Sequence, residues 1–180
     1  IPSSVTSIGR FAFEGCSSLT SIKIPSSITR IGYSAFDDCT NLVNIKIPSS
    51  VTSIEGYTFS RCTSLVSVEI PSSVTSIGGS AFYGCSSLAS INIPETVTNI
   101  KSEAIPSSTI IYTKVNSEAH KYAEEGEQGY IIDEEAPTVT FAPIGNESTQ
   151  KQQSTKITIK DNMVGINEEK LKYQWTQSEE

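Results

Sequence analysis

Ile-Pro recurs at positions 1, 24, 47, 70 and 93, and cysteine at 16, 39, 62 and 85, so the first hundred residues repeat every 23. A unit this short has too little apolar surface to close a core alone and must bury it against neighbouring copies. The chain is therefore expected to be a solenoid. Its function is expected on a repeated outer surface, not in a deep central cleft.

Aligned, the copies read Leu-x-x-Ile-x-Ile-Pro-x-x-Val-Thr-x-Ile-Gly-x-x-Ala-Phe-x-x-Cys-x-x, with Leu19, Leu42, Leu65 and Leu88 opening successive units. In the segment Leu19 to Ile24 the two-residue period puts Ile22 and Ile24 on one face of a short strand, and Pro25 then removes a ladder donor and makes a corner. A second brief extended side follows from Ile28 to Ile31. Ala35, Phe36 and Cys39 are expected on the inward face of a helical turn. Stacking then sets Phe13, Phe36, Phe59 and Phe82 in one ladder and Cys16, Cys39, Cys62 and Cys85 in another. The chain opens in mid-unit at Ile1-Pro2, so further repeats are expected upstream and the first coil is expected to present an open edge.

The last copy decays: Lys101 replaces Gly, Ile105 stands for Phe and Ser108 for Cys. A final strand is expected within Ile110 to Val115, with its register left open. Asn116 or Ser117 then caps a helix carrying Ala119, Tyr122 and Ala123 on one face and ending at Gly126. The predicted organisation is a solenoid over residues 1–132 with its cap at about 101–132, an acidic linker at 133–137, and a different module at 138–180. In that module 138–142, 155–160 and 171–176 alternate as strands around Trp175. An immunoglobulin-like sandwich needs about 100 residues, so this one is expected to be partial, exposed at its edges, and prone to self-association, as is the open first coil.

The aligned unit closely resembles the BspA-type (Treponema-type) leucine-rich repeat of bacterial surface antigens, marked by the Ile-Pro corner and Ile-Gly-x-x-Ala-Phe-x-x-Cys. The segment from Ile111-Tyr112 to Tyr122 is similar to the usual close of such arrays, and Asp133-Glu-Glu-Ala-Pro-Thr-Val-Thr140 is similar to the entry of bacterial Ig-like modules. The resemblance implies a mostly β, right-handed leucine-rich-repeat solenoid with 23-residue coils, a helix/strand cap and a partial all-β Ig-like sandwich. It also implies a secreted or cell-surface location, adhesion to an extracellular or host-matrix protein, and no catalytic residues.

Charge and chemistry narrow the alternatives. The net charge is -7, yet residues 1–100 carry five basic and six acidic groups, so the solenoid lacks the basic footprint that nucleic acid requires. No apolar run approaches bilayer length, so no membrane insertion is expected. The cysteines are expected to be buried free thiols, because parallel Cβ vectors in adjacent coils do not converge for a disulfide. A straight row of thiols also lacks tetrahedral ligand geometry, so no metal or cofactor is expected. His120, the one histidine, is expected on the surface of the cap helix, without a nucleophile beside it. Asp133, Glu134 and Glu135, with Asp161 and Asn162, read as a solvated linker or a calcium site. Asn146-Glu147-Ser148 matches a glycosylation acceptor.

Two binding surfaces remain. Outward positions of the strand side include Lys23, Asn44, Lys46, Ser67, Glu69 and Asn92 on one broad face. Tyr33, Tyr57 and Tyr83, with Arg10 and Arg61, mark an alternative patch at the helical-turn corner. The expected function is a non-catalytic extracellular adhesion or protein-binding module, working by shallow multivalent contact. The alternative is a structural stalk displaying a catalytic or binding module of a larger cell-wall protein.

Overall fold

A computed structural model describes residues 1–133 and 157–159. Each coil contributes short parallel strands to two walls. The first wall holds β1 (Ser7–Ile8), β2 (Arg30–Ile31), β4 (Ser53–Ile54), β6 (Ser76–Ile77) and β8 (Asn99–Ile100). The second holds β3 (Asn44–Lys46), β5 (Ser67–Glu69), β7 (Ser90–Asn92) and β9 (Ile110–Thr113). Pairing follows the sequence period: Ser7 lies beside Arg30, Ser53 beside Ser76, Ser76 beside Asn99, and Ile45 beside Val68. The second-wall strands β3, β5 and β7 stay short because Pro48, Pro71 and Pro94, two residues after each, withhold a donor. Residues 19–24 form no strand, although the Val43 N–H still bonds to the Thr20 carbonyl at 3.1 Å.

The third side departs from the expected helical turn. Ala35, Phe36 and Cys39 do point inward and are fully buried, but the chain there is a run of turns. Two residues per coil take left-handed backbone angles four positions apart, such as Ser34 (φ 51°) and Asp38 (φ 60°), and the pair recurs at Tyr57 and Arg61 and at Ser80 and Gly84. The bends turn the intervening N–H groups toward the next coil. Phe13 donates to Ala35, Phe36 to Thr58, Phe59 to Ala81 and Phe82 to Ala104, all at 2.8 to 2.9 Å. Bonds between coils thus replace bonds within a helix, which is why no helix forms.

Inside, the phenylalanine ladder is present as expected. Neighbouring rings stack nearly parallel, with centroids 5.1 Å apart for Phe13 and Phe36 and 5.5 Å for Phe36–Phe59 and Phe59–Phe82. Leu42, Leu65 and Leu88 fill the layer beneath the strands. Hydroxyls lock successive corners, with Ser27 donating to the Val5 carbonyl, Ser73 to Val51 and Thr96 to Val74. Cys16 corrects the expectation of four buried thiols: it is exposed, and Phe13 only half-buried, because the first coil has a packed neighbour on one side only.

The array ends by shortening. Ile105 takes the phenylalanine position, buried beneath the bond from Phe82 to Ala104, but Ser108 is exposed and does not occupy the cysteine position. The chain cuts that corner, so Ile111 pairs with Ile91, 20 residues back. This settles the register of β9, with Ile111 and Thr113 facing in. Ser117 is the cap of α1 (Glu118–Glu125), accepting the His120 N–H at 3.1 Å, and the helix closes at Gly126 with Ala119 and Ala123 buried. The strand β10 (Tyr130–Asp133) then pairs parallel to β9, so Asp133, expected to open the linker, completes a strand of the terminal sheet. The buried Gln128 amide donates to the Pro106 and Thr109 carbonyls at 2.7 and 2.8 Å. The short strand β11 (Ile157–Ile159), inside the predicted 155–160 strand, pairs antiparallel to β10. The remaining expectations for the second module, including the strands 138–142 and 171–176, Trp175, Asn146 and the candidate calcium ligands Glu134, Glu135, Asp161 and Asn162, lie outside the described residues.

Candidate functional site

The strand wall alternates strictly. Ile45, Val68 and Ile91 turn inward, so their flanking residues must face solvent, and Lys23, Asn44, Lys46, Ser67, Glu69 and Asn92 are all exposed. The 23-residue register sets Asn44 beside Ser67 and Lys46 beside Glu69, whose charged ends pair at 2.5 Å. Both side chains are largely solvated, so the pair contributes about 0–1 kcal/mol and acts on the charge pattern more than on stability. Lys23 forms no ion pair among the described residues.

Beside this wall runs an open groove of about 740 Å³. Lys23, Asn44, Lys46 and Glu69 line it together with the half-buried Ile22 and Ile70 and the corner prolines Pro48 and Pro71. Ser67 and Asn92 do not. The prolines matter because each corner turns the chain away from the strand without donating a hydrogen bond, leaving a step whose apolar flank stays accessible. Val43 and Val66, at the head of the strand, are 41% and 56% exposed and extend the apolar surface of the same wall.

Of the tyrosine patch, the structure assembles two members. Tyr33 and Tyr57 lie 5.4 Å apart between ring centroids, and the row continues to Phe11, 5.7 Å from Tyr33. Arg10 sits over both the Phe11 and Tyr33 rings, at 5.8 and 5.2 Å. Phe11 was not among the sequence candidates, and its signal was that it occupies the same coil position as Tyr57, two periods later. Tyr83 occupies a different place in its coil and lines a separate depression near the cap. Arg61 turns toward the buried carboxylate of Asp37, at 3.1 Å, and toward Asp38, at 3.9 Å.

The four cysteines are free. Cys39, Cys62 and Cys85 each donate to a phenylalanine carbonyl of the preceding coil, at 3.0, 3.2 and 3.1 Å. Burial pushes the Cys39 thiol up to about 11 and the Cys85 thiol up to about 12, and raises Cys62 in the same direction. Such thiols are poor nucleophiles, since attack requires the thiolate.

His120 corrects its expected surface position: it is 7% exposed. Its Nδ1 accepts the Asn116 N–H at 3.0 Å, its ring meets Tyr130 edge-on at 4.8 Å, and its Nε2 lies 3.4 Å from Glu124. The side chain is thus a fastener between helix cap and sheet. The helical period alone could not reveal this, because β10 arrives from later sequence to cover it.

The repeated geometry has relatives. The chain is similar to the crystal structure of a Treponema pallidum leucine-rich repeat protein at 34% identity, covering 60% of this chain and 52% of that one, with a TM-score of 0.58. It is similar to a leucine-rich repeat protein from Bacteroides ovatus at 42% identity, covering 61% and 31%, with a TM-score of 0.54. It is also similar to a leucine-rich cell surface protein from Faecalibacterium prausnitzii at 42% identity, covering 63% and 30%, with a TM-score of 0.58. The match therefore spans about half of the first of these proteins and under a third of the other two. No curated protein matches the chain. The BspA-type leucine-rich repeat region matches residues 1–112 in six copies, and the chain belongs to that family.

Proposed function

We propose that this solenoid is a non-catalytic adhesion module of a bacterial cell-surface protein, binding an extracellular or host-matrix protein along its strand wall. The observation that carries the reading is the groove in which Lys23, Lys46, Asn44 and Glu69 surround accessible Ile22, Ile70 and proline corners. It offers charge, amide and apolar contacts on one wall. The likeness to a leucine-rich cell surface protein from Faecalibacterium prausnitzii supports an extracellular setting. Each coil repeats the arrangement with altered side chains, so contacts are shallow and distributed, and affinity grows by multivalency.

The test is adsorption of the full chain to immobilised matrix proteins, cell-surface proteins and glycans, compared with a Lys23→Ala, Lys46→Ala, Glu69→Ala variant. The variant is expected to keep its fold, since exposed substitutions usually change stability by under about 0.5 kcal/mol, and to lose most retention. If the wild-type chain is retained by none of these surfaces, the solenoid is a stalk that displays another module.

A further inference from the structure

The isoleucine before each corner proline is placed to donate its N–H to the next coil, and only alternate copies do so. Ile47 donates to the Glu69 carbonyl at 3.2 Å and Ile93 to the Tyr112 carbonyl at 2.9 Å. Ile24 and Ile70, at the same coil position, make no such bond among the described residues. The sheets divide accordingly: β3 pairs with β5 and β7 with β9, while neither residues 21–24 with β3 nor β5 with β7 form a ladder. The second wall thus carries two open seams, although the turn side is bonded at these same junctions, Phe13 to Ala35 and Phe59 to Ala81.

The outward side chains separate closed seams from open ones. Across the closed seam of β3 and β5, Lys46 meets Glu69 and the two pair. Across the first open seam the residue one period before Lys46 is Lys23, and like charges on facing strands oppose pairing. Across the second, Glu69 precedes Asn92, which brings no opposite charge. The corner proline is common to all four copies, so it does not select among them. The groove of about 740 Å³ lies along the first open seam, with Ile22, Lys23 and Ile24 on one side and Asn44, Lys46 and Pro48 on the other. Two facing lysines, a backbone N–H without its ladder acceptor and an accessible aliphatic side chain therefore meet in one place, and Lys23 has no acidic partner among the described residues.

We propose, on the reading of this groove as the adhesive surface, that the seam receives the carboxylate of an aspartate or glutamate in an extended segment of the partner protein. The carboxylate seats between Lys23 and Lys46, cancels the repulsion between them and lets the seam draw together. Residues flanking the acid lie on Ile22 and Pro48. That apolar flank fits aliphatic side chains beside the acid, which a protein segment carries and an acidic sugar does not.

Amide exchange of the ligand-free full chain, followed by NMR, should be at least about tenfold faster at Ile24 and Ile70 than at Ile47 and Ile93. The binding probe is the end-blocked peptide Gly-Val-Asp-Val-Gly, compared with the same peptide carrying Asn in place of Asp. The Asp peptide should bind saturably, weaken with added salt and slow exchange at Ile24, and the Asn peptide should bind at least about tenfold more weakly. Lys23→Gln should weaken binding about fivefold and, by removing the like charge, should slow exchange at Ile24 without any ligand. Lys121→Gln, the same charge change at an exposed position of α1, should do neither. The exchange pattern and the peptide titration use no adhesion surface, so their failure is distinct from failure of the wild-type chain to adhere. The proposal is overturned if Ile24 is protected as well as Ile47 in the free chain, if the Asp peptide does not bind saturably, or if a glucuronate oligosaccharide binds as well as the Asp peptide.

Discussion

The Cys62 thiol donates to the Phe36 carbonyl oxygen, 3.2 Å away across the boundary between two coils. The cysteine therefore does more than fill volume. It adds a second donor, from the next coil, to a carbonyl that already accepts the Cys39 N–H, and Cys39 and Cys85 do the same for Phe13 and Phe59, which accept the Cys16 and Cys62 N–H groups. A small apolar group with one weak donor suits a position that alanine would leave under-filled.

Thiol accessibility follows from this geometry. One thiol, Cys16, should react rapidly with an aromatic disulfide reagent in the native chain, and three more should appear on adding denaturant. Loss of the slow class, with all four reacting together, would mean that the coils open faster than the reagent attacks.

Alkaline pH should loosen the fold in a defined window. An unfolded thiol gives up its proton near 9.0, whereas burial holds Cys39 to about 11 and Cys85 to about 12. Above the lower value the unfolded chain binds fewer protons, so this contribution is whole below it and is lost as pH rises through the higher ones. The urea midpoint should fall from about pH 9 upward. Replacing Cys39, Cys62 and Cys85 with alanine should lower the midpoint at neutral pH but flatten its alkaline decline. An unchanged decline would assign the effect to other groups.

Phe59 is fully buried between two stacked rings. Phe59→Ala should cost about 3–5 kcal/mol, since neighbouring coils are held apart by continuous backbone bonds and close poorly on the space. Phe59→Leu should cost less. Thermal unfolding of both variants would give the comparison, and near-equal stability of Phe59→Ala and wild type would contradict the packed ladder.

Two glycines one coil apart should behave differently. A Cβ at Gly32 would lie 2.7 Å from the Arg10 backbone nitrogen, while one at Gly9 would meet nothing within 4 Å. Gly32→Ala should therefore lose about 1–3 kcal/mol, and Gly9→Ala should be neutral or slightly stabilising. Chemical unfolding of the pair measures this directly.

The coil was legible in the sequence because period and burial are the same signal: Phe36, Leu42 and Ile45 recur every 23 residues because their neighbours must stack on them. The turn geometry was not, since Ser34, Tyr57 and Ser80 adopt left-handed angles for which none is the natural residue, and bonds to adjacent coils impose them. The strand wall was readable from alternation, but the groove beside it depends on how proline corners of successive coils step past one another. Tyr83 was grouped with Tyr33 and Tyr57 by residue type, although Tyr33 and Tyr57 sit at adjacent coil positions and Tyr83 aligns with Ser60, three positions beyond Tyr57. The depression near the cap was hidden because a three-residue deletion reads as decay of a motif until the register of Ile91 with Ile111 fixes where the chain shortens.

Among the described residues, the side-chain hydroxyl and thiol donors between coils all point one way along the stack. Ser27, Thr29, Cys39, Ser73, Cys85 and Thr96 each reach back to a carbonyl of the coil before, and none reaches forward. A coil leaving the ribosome thus brings its own side-chain donors to waiting carbonyls, while on the turn side the finished coil holds out backbone N–H groups, such as that of Phe36, for a carbonyl of the next coil, Thr58. Assembly can advance with synthesis, one turn at a time, until Gln128 of the cap bonds to Pro106 and Thr109 and β10 pairs onto β9.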